Sequence, residues 1–422
     1  MAPLAEALAA AAARVARVAR GRSLGSEQEA DAPADAAQRA ALLDLCHGTL
    51  RRYGRVQAIV DALSRRGGAP DPLVEALLWC ALYALDSGRY AEYTVLDQAA
   101  RACSLLQRQR ARAYVNALLR AWLRGRSTLE ARLDAEPEAR YWHPAWWIDR
   151  LRTHFPGDWE SILAAGNGHP PMCLRVNVRR VTAESYAGRL AAAGIAARPV
   201  GAAALLLERP LPVERLPGFA EGEVSVQDAG AQRAAGLLDL RDGQRVLDAC
   251  AAPGAKSAHM LESAAIELAA LDVDAARAQR IRRDLQRLGL EARIAVADCI
   301  ALEEWWDGQP YDRILADVPC TASGVARRHP DIKWLRRPGD AAAFAARQGR
   351  ILDALWRTLA AGGKLLYATC SVFPQENGDV LESFTGRTRG ARRLALEGAE
   401  ALQLLPGSEH DGLYFALLEK AA

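Results

Sequence analysis

Residues 245–257 read RVLDACAAPGAKS, a short apolar run that leads directly into a loop of small residues. Four more apolar runs follow it, each separated from the next by a segment with helical periodicity. The five strand candidates are RVLDAC, AAIELAALDV, EARIAVAD, DRILADV and GKLLYATCS. Apolar strands that alternate with helices are typical of a parallel, doubly wound sheet with helices on both faces. We therefore predict an α/β domain over residues 223–422.

The loop after the first strand has the features of a nucleoside-binding site. Ligands of such sheets bind at the carboxyl ends of the strands, small residues allow close approach, and the next helix begins with free N–H groups. The GxGxxG and GxxxxGK[ST] patterns are absent, which disfavours NAD and ATP. Asp272 and Asp298 stand at the ends of the second and third strands. Acidic residues at successive strand ends favour a nucleoside cofactor such as S-adenosylmethionine.

Two cysteines follow the fourth and fifth strands, Cys320 after DVP and Cys370 after YAT. A single isolated cysteine is usually a buried structural residue. For two cysteines at the ligand end of a sheet, covalent catalysis is as good an interpretation as a structural role. A thiolate that adds to carbon 6 of a pyrimidine makes carbon 5 nucleophilic enough to attack an electrophilic methyl group. Asp317 is placed to protonate or orient N3 of the ring. The residues alone leave open which cysteine attacks.

The first half of the chain predicts two further domains. Residues 1–135 show helical periodicity and little else, which indicates an all-α bundle. Residues 101–129 hold seven arginines and no acidic residue. This stretch is either a solvated helix face or a surface that contacts phosphates. Residues 136–171 indicate a linker with short helices. Residues 172–222 alternate strand-like runs with one helical segment, which predicts a small α+β module.

Composition limits the class of protein further. The 422 residues exceed one core, at roughly 100–200 residues per domain, so the chain is multidomain. A net charge of +3 excludes a uniformly basic protein but allows a local basic patch. Of 54 basic residues, the lysines are Lys256, Lys333, Lys364 and Lys420. Each lysine within a motif is therefore informative, because a planar guanidinium replaces a compact ammonium poorly.

Metal, membrane and secretion signals are weak. The eight cysteines never form CxxC and the seven histidines are dispersed, so we expect no metal. Reduced cysteines are typical of a cytoplasmic protein. No apolar run approaches the roughly 18–20 residues that span a bilayer, and we expect no membrane partner. The N-terminal sequence lacks the basic leader and apolar core of a signal peptide.

Several segments carry a resemblance to a known family: DACAAPGAKS, ALDVD, DVPCTASGVARRHPDIKWLR and LLYATCSVFPQENGDVL. Together they resemble the RNA 5-methylcytosine methyltransferases of the NOL1/NOP2/Sun family, and EGEVSVQDAGAQ and DGLYFALLEK extend the likeness. The N-terminal bundle, with RAYVNALLR, resembles a NusB-type RNA-binding domain. The resemblance implies an all-α NusB-like bundle, a small RRM-like α+β module and a Rossmann-like methyltransferase domain dependent on S-adenosylmethionine.

The resemblance also implies a role for each site residue. Cys370 matches the nucleophile, Cys320 matches the cysteine that assists product release, and Asp317 would orient the base and line the cofactor pocket. Asp272 would take the ribose hydroxyls and Asp298 the adenine side. The cofactor loop would consist of Cys250, Ala251, Ala252, Pro253, Gly254, Ala255 and Lys256.

One loop position departs from the family pattern. The family usually has a second glycine where this chain has Ala255. If that position needs a positive φ, alanine costs about 1 kcal/mol. If it needs only close approach, one methyl group is tolerated, and the departure bears on cofactor affinity rather than on the reaction.

Other polar residues of the motifs have roles outside the chemistry. Arg175 and Asn177, within the LRVN segment, would support the fold or the RNA path. A basic run follows Cys320, either as an RNA-contacting group or as a salt-bridged surface loop. Its members are Arg327, Arg328, His329 and Lys333.

The substrate implied by the resemblance is one cytosine of 16S ribosomal RNA. Carbon 6 is inaccessible inside a stacked duplex, so the base must lie in a loop or be flipped out. We expect a monomer that binds S-adenosylmethionine and this RNA. Two alternatives stay open: the same chemistry on tRNA or another RNA, and a non-catalytic NusB-type RNA-binding factor. The second leaves the paired cysteines and the cofactor loop unexplained.

Overall fold

The computed structural model describes residues 4–25, 35–64, 69 and 71–421. The chain divides into two compact units. The helical unit contains Met1–Gly168 together with Ala326–Pro338, and the α/β unit contains His169–Val325 together with Gly339–Ala422. A segment from the second half of the sequence therefore belongs to the first unit.

The helical unit is a bundle around one central helix. Its elements are α1 Leu4–Ala19, α2 Ala36–Arg51, α3 Tyr53–Leu63, α4 Pro72–Asp86, α5 Glu92–Leu105, α6 Arg112–Leu133, α7 Pro137–Tyr141, α8 Ala145–His154 and α9 Trp159–Asn167. Asp71 caps α4 by accepting from the Leu73 and Val74 N–H groups at 2.8 and 3.3 Å, and Pro72 opens the helix. Residues 76–85 of α4 are buried without interruption, as a helix apolar on all sides requires.

The α/β unit carries two sheets. Its strands are β1 Cys173–Val176, β2 Ala197–Pro199, β3 Ala204–Leu207, β4 Val224–Val226, β5 Arg245–Asp248, β6 Glu267–Asp272, β7 Arg293–Val296, β8 Tyr311–Asp317, β9 Leu359–Thr369, β10 Ala391–Leu394, β11 Leu402–Leu404 and β12 Leu413–Lys420. Further α-helices among the described residues are α10 Ala183–Ala192, α11 Arg233–Leu237, α12 Ala255–Ser263, α13 Ala275–Leu288, α14 Leu302–Trp305, α15 Ile332–Leu335, α16 Asp340–Thr358 and α17 Gly378–Arg387.

The smaller sheet is antiparallel, in the order β2-β3-β1-β4. Helix α10 packs on it through the fully buried Tyr186 and Leu190. Strand β4 lies at 224–226, beyond the predicted boundary at residue 222. The boundary is wrong for the sheet because β1 needs β4 to satisfy the backbone groups along its second edge.

The larger sheet has the order β10-β12-β9-β8-β5-β6-β7, with β11 paired to β12. Strands β5 to β9 are mutually parallel, and β10 to β12 are antiparallel additions. The five predicted strands are β5 to β9, which confirms the doubly wound α/β fold. Because β8 returns to pair with β5 after β6 and β7 extend the other way, the topological switch point falls between β5 and β8.

The segment 326–338 forms part of the core of the helical unit. Lys333 is fully buried and donates to the carbonyls of Arg51 and Trp142 at 2.8 Å and to Asn167 Oδ1 at 2.9 Å. Burial lowers the pKa of Lys333 well below its ordinary value. The Arg327 side chain is also buried, and its carbonyl accepts from Arg51 at 3.1 Å.

This burial corrects the interpretation of the basic run as an RNA-facing group. Lys333 and Arg327 are inside the helical unit, Arg328 is half-buried, and only His329 is exposed. Lys333 is not part of a salt-bridged surface loop either, because three oxygen acceptors inside the helical unit satisfy its buried ammonium. Within the residues that the structure describes, no helix is both long and apolar enough to cross a membrane.

Candidate active site

The parallel strands bring the predicted site residues to one edge of the larger sheet. In sheet order, Cys370 follows β9, Asp317 ends β8, the cofactor loop follows β5, Asp272 ends β6 and Asp298 follows β7. Neighbouring strands lie about 4.8 Å apart, so the residues form a row. The two cysteines lie toward one end of that row and the predicted ribose and adenine carboxylates toward the other.

The cofactor loop ends in a conformation that requires glycine. Gly254 has φ +106°, and a Cβ there would lie 3.1 Å from Cγ2 of Ile281. Ala255 is the first residue of α12 and is not among the residues of positive φ. The alanine therefore carries no left-handed strain, and the departure from the family pattern is tolerated. The Ala255 carbonyl accepts from Arg175 Nη1 at 2.7 Å, which fixes the start of the helix.

Asp272 supports the loop from the neighbouring strand. Its Oδ2 accepts from the Ala252 N–H at 3.2 Å, and its Oδ1 accepts from the Asp274 N–H at 3.0 Å. The side chain is 3% exposed, and Arg277 lies 3.4 Å from Oδ2. A carboxylate has about four lone-pair positions, so ribose hydroxyls would share these oxygens with the loop. Asp298 is half-buried and accepts from the Ile300 N–H at 3.1 Å.

Sequence reasoning missed Asp248, the last residue of β5. It is fully buried, its Oδ2 accepts from the Ser257 hydroxyl at 2.6 Å, and its Oδ1 has no partner in the structure. Burial raises its pKa to about 7, with a further contribution from Asp317. The only signal in the sequence was an acidic residue at the end of an apolar strand.

Lys256 and Asp317 join the cofactor loop to β8 across the switch point. Their Nζ and Oδ2 atoms lie 2.5 Å apart, and both side chains are largely buried. Burial acts against the charged form of Lys256, yet Asp317 raises its pKa above the ordinary value, and Cys370 and Asp248 contribute in the same direction. The lysine therefore stays charged, close to the Cys370 sulfur.

Cys320 and Cys370 face each other, with their sulfur atoms 3.4 Å apart. Cys320 is 7% exposed and Cys370 is partly exposed. The hydrogen bond with Cys370, followed by burial, raises the pKa of Cys320 well above its ordinary value. Cys320 is thus a neutral thiol in contact with the Cys370 sulfur. Cys250 is likewise a neutral thiol, because a hydrogen bond with Cys299 and burial raise its pKa.

A second missed residue is Glu376, which is fully buried behind the two cysteines. It accepts hydrogen bonds from Thr321 and Ser371, the residues that follow Cys320 and Cys370 in the chain. The letters PQEN at 374–377 contain the acidic residue, but nothing in the local pattern places it between two loops.

The arginine-rich stretch lies on α5, α6 and the turn between them. Arg101, Arg108 and Arg126 form ion pairs with Asp97, Asp71 and Glu130. The other four are exposed and form no ion pair with any residue that the structure describes: Arg110, Arg112, Arg120 and Arg124. Part of the stretch is therefore neutralised, and the rest keeps a local positive potential.

The residues at the sheet edge fit a positively charged nucleoside cofactor. Carboxylates suit ribose hydroxyls and a sulfonium, and Lys256, the one lysine of the loop, is already paired. Among the described residues, no group of three or more His, Cys, Asp or Glu side chains could hold a metal ion. The fold and the site define an α/β methyltransferase with a helical N-terminal domain.

Comparison with known proteins narrows this class to one family. Family models match residues 5–124 (NusB family), 143–214 (Methyltr_RsmF/B-like, ferredoxin-like domain) and 235–419 (16S rRNA methyltransferase RsmB/F). The chain is 44% identical to ribosomal RNA small subunit methyltransferase B of Pseudomonas syringae pv. tomato, over 90% of this chain and 88% of that one. The chain belongs to the 16S rRNA methyltransferase RsmB/F family.

Two further likenesses agree with that assignment. The protein of the same name from Vibrio cholerae is 42% identical, over 90% of this chain and 89% of its own. The crystal structure of PH0851 superposes with a TM-score of 0.82 at 22% identity, covering 100% of this chain and 99% of that one, and shows the shared fold. S-adenosylmethionine is the cofactor of this methyltransferase, as the loop and the strand-end carboxylates predict.

Proposed function

We propose that the protein methylates carbon 5 of one cytosine in 16S ribosomal RNA through a covalent adduct with Cys370. The observation that carries the proposal is the pair of sulfur atoms 3.4 Å apart at the ends of β8 and β9, next to the cofactor loop. The relatives, named for methylation of small-subunit ribosomal RNA, support the substrate class. Methyl transfer to oxygen or to an exocyclic nitrogen has no need of two thiols.

The surroundings of the two cysteines favour Cys370 as the nucleophile. The raised pKa of Cys320 keeps it protonated, so its S–H can stabilise a thiolate on Cys370. The charged Lys256 ammonium also interacts electrostatically with Cys370. Cys370 is also the more exposed of the two, which a nucleophile for a large substrate requires.

The reaction then proceeds by addition and elimination on the pyrimidine ring. The Cys370 thiolate forms a bond to carbon 6, and the ring electrons move toward carbon 5, which becomes nucleophilic. S-adenosylmethionine, when bound, supplies the electrophilic methyl group. Loss of the proton from carbon 5 restores the double bond and expels the Cys370 thiolate. We assign Cys320 to this release step, because its sulfur is in contact with the leaving one.

We assign Asp317 to the orientation of the cytosine base, and Lys256 positions Asp317 through their ion pair. The carboxyl group of Asp317 ends β8 three residues before Cys320, with a side chain 27% exposed. It is therefore accessible to N3 of a cytosine whose carbon 6 lies at Cys370. Lys256 fixes the carboxyl group by the 2.5 Å contact and keeps a compensating positive charge in a site with many acidic groups.

We assign cofactor binding to the loop from Cys250 to Lys256 with Asp272 and Asp298. We also propose the division into a helical RNA-binding domain (1–135), a linker (136–171), a small module (172–222) and a catalytic domain (223–422). The short helices of the linker, α7 to α9, belong to the helical unit, and β4 completes the sheet of the small module. The four exposed arginines on α6 and on the turn before it, Arg110, Arg112, Arg120 and Arg124, supply phosphate contacts for the RNA.

Two cysteine variants test the mechanism with labelled cofactor and unmodified rRNA. Cys370→Ala should abolish methyl transfer, whereas Cys320→Ala should accumulate a covalent protein–RNA adduct that survives denaturation. Cys103→Ala, a buried cysteine of the helical unit, is the matched control and should retain activity. Full activity of Cys370→Ala would disprove the assignment of roles. Bisulfite sequencing of rRNA from a strain lacking the protein should show the loss of one methylated cytosine.

The same assay separates the alternatives. Transfer to purified tRNA, with none to rRNA, would identify a tRNA methyltransferase. Failure to bind S-adenosylmethionine in calorimetry would favour the non-catalytic RNA-binding factor. The sheet-edge row of loop, carboxylates and thiols favours the enzyme, because a binding factor needs none of them.

A further inference from the structure

Two loops carry the reactive cysteines, and neither is held by its own strand alone. The first, residues 318–325, follows β8 and contains Cys320, and the second, residues 369–377, follows β9 and contains Cys370. The loops are hydrogen-bonded to each other through backbone and side chains. The Gly324 N–H donates to the Cys370 carbonyl at 2.9 Å, and the Val372 N–H donates to Ser323 Oγ at 2.9 Å.

One buried carboxyl group joins the two loops at the residues next to the cysteines. Glu376 Oε1 accepts from the Thr321 N–H at 2.7 Å, and Oε2 accepts from the Thr321 hydroxyl at 2.5 Å and from the Ser371 hydroxyl at 2.6 Å. Glu376 and Ser371 are fully buried and Thr321 is 1% exposed. The Tyr367 hydroxyl on β9 anchors the Glu376 carbonyl at 2.6 Å.

We propose that Glu376 is a positioning residue that sets the spacing of the two thiols and so couples nucleophilic attack to product release. The inference rests on the proposed function of the cysteines. Glu376 does not touch the reacting atoms and acts through Thr321 and Ser371.

The two loops depend on Glu376 to different degrees. The Cys370 loop has further anchors, because the Ser371 carbonyl accepts from Asn377 Nδ2 at 2.9 Å and Thr369 donates to Asn377 Oδ1 at 2.6 Å. The Cys320 loop is held before the cysteine by Gln348 Nε2, which donates to the Pro319 carbonyl at 3.0 Å, and after it by Thr321, which gives both its N–H and its hydroxyl to Glu376. Loss of the carboxyl group should therefore displace Cys320 more than Cys370. Attack would persist, and release would slow.

The first test measures the thiol spacing without any RNA. An added diazene oxidant takes up the two thiol hydrogens and becomes a hydrazine while the sulfurs form one disulfide. The full-length wild-type protein should form the Cys320–Cys370 disulfide quickly, since its sulfurs need to approach only from 3.4 Å to about 2.05 Å. Glu376→Gln keeps the shape but presents an N–H group to at least one donor, and it should slow this step at least tenfold.

The second test measures release in single-turnover methylation. The fraction of Glu376→Gln protein held as covalent RNA adduct should rise about tenfold or more over wild type, because a displacement of about 1 Å at a reacting group can cost roughly 100-fold. A merely structural role would lower adduct formation and release together. Wild-type rates of disulfide formation and release in Glu376→Gln would overturn the inference.

Thr321→Val provides a milder variant should the Glu376 variants not fold, since it removes one donor and keeps the N–H contact. Its matched control is Thr358→Val, which removes another buried hydroxyl, bonded to the Leu355 carbonyl at 2.9 Å away from the site. Thr321→Val should slow both disulfide formation and release of the RNA adduct, whereas Thr358→Val should slow neither. Equal effects of the two variants would overturn the inference. Absence of methylation by the wild-type protein would refute the proposed function and leave the disulfide test of spacing intact.

Discussion

Arg175 of β1 should be essential to the α/β unit, although it lies far from the reacting atoms. Its guanidinium donates to Glu262 on α12 through Nε and Nη2 at 2.9 and 2.8 Å, and Nη1 donates to Gln227 and to the Ala255 carbonyl at 2.6 and 2.7 Å. The Arg175 side chain is 0% exposed and that of Glu262 is 2% exposed. The two buried charges therefore compensate each other within a set of buried hydrogen bonds.

The perturbation is Arg175→Met, which keeps much of the volume and removes the charge. The buried Glu262 carboxylate then loses two donors, which costs about 3–5 kcal/mol. For a unit of this size, that loss lowers the midpoint of thermal unfolding by roughly 6–20 °C. The Ala255 carbonyl loses its donor as well, so the helix after the cofactor loop should loosen and S-adenosylhomocysteine should bind more weakly.

Scanning calorimetry of the full chain measures the effect. The transition that moves upward when S-adenosylhomocysteine is added identifies the cofactor-binding unit. The double variant Arg175→Met/Glu262→Met removes both charges and should recover most of the loss, because apolar residues often replace a buried ion pair at little cost. A loss of less than about 1 kcal/mol in the single variant would refute the reasoning. So would a double variant less stable than the single one.

Three other predictions concern the loop, the buried carboxyl group and the RNA surface. Gly254→Ala, at φ +106°, should weaken cofactor binding in calorimetry, whereas Ala255→Gly should change it little. Asp248→Asn should stabilise the protein above pH 7 and not below pH 4. The pKa of Asp248 is raised to about 7, so the wild-type protein loses stability as pH rises through that value. Equal shifts of the melting temperature at both pH values would contradict this. Arg120→Ala should reduce the salt dependence of RNA binding by about one phosphate contact. Arg126→Ala should leave the salt dependence unchanged, because Arg126 is already paired with Glu130.

The gathering of the strand-end residues at one edge of the sheet was predictable from local patterns. Five apolar runs between helical segments required a doubly wound parallel sheet, and parallel strands place their carboxyl ends together. The positions of Asp272, Asp298, Asp317 and the cysteines followed from that rule.

The residues that hold the site were not predictable in the same way. Glu376 and Thr321 are 55 residues apart in the chain, and Arg175 and Glu262 are 87 apart. Charged and polar side chains of this kind usually lie on a surface, and the local sequence does not name the partners of these four. Only the packing of distant segments encloses these groups and provides the hydrogen-bond and charge partners that offset the desolvation cost of their burial.

Lys333 shows the same division most clearly. Lysine is rare in a chain with fifty arginines, which indicated that an ammonium group mattered at position 333. The place of Lys333 in the motif after Cys320 suggested a contact with RNA. The structure instead buries it among three oxygens of the helical unit. The sequence by itself determined the strand pattern, the cofactor loop and the paired cysteines, because these depend on local periodicity and spacing. The tertiary structure alone decided which charges are buried, because desolvation depends on neighbours that are remote in the chain.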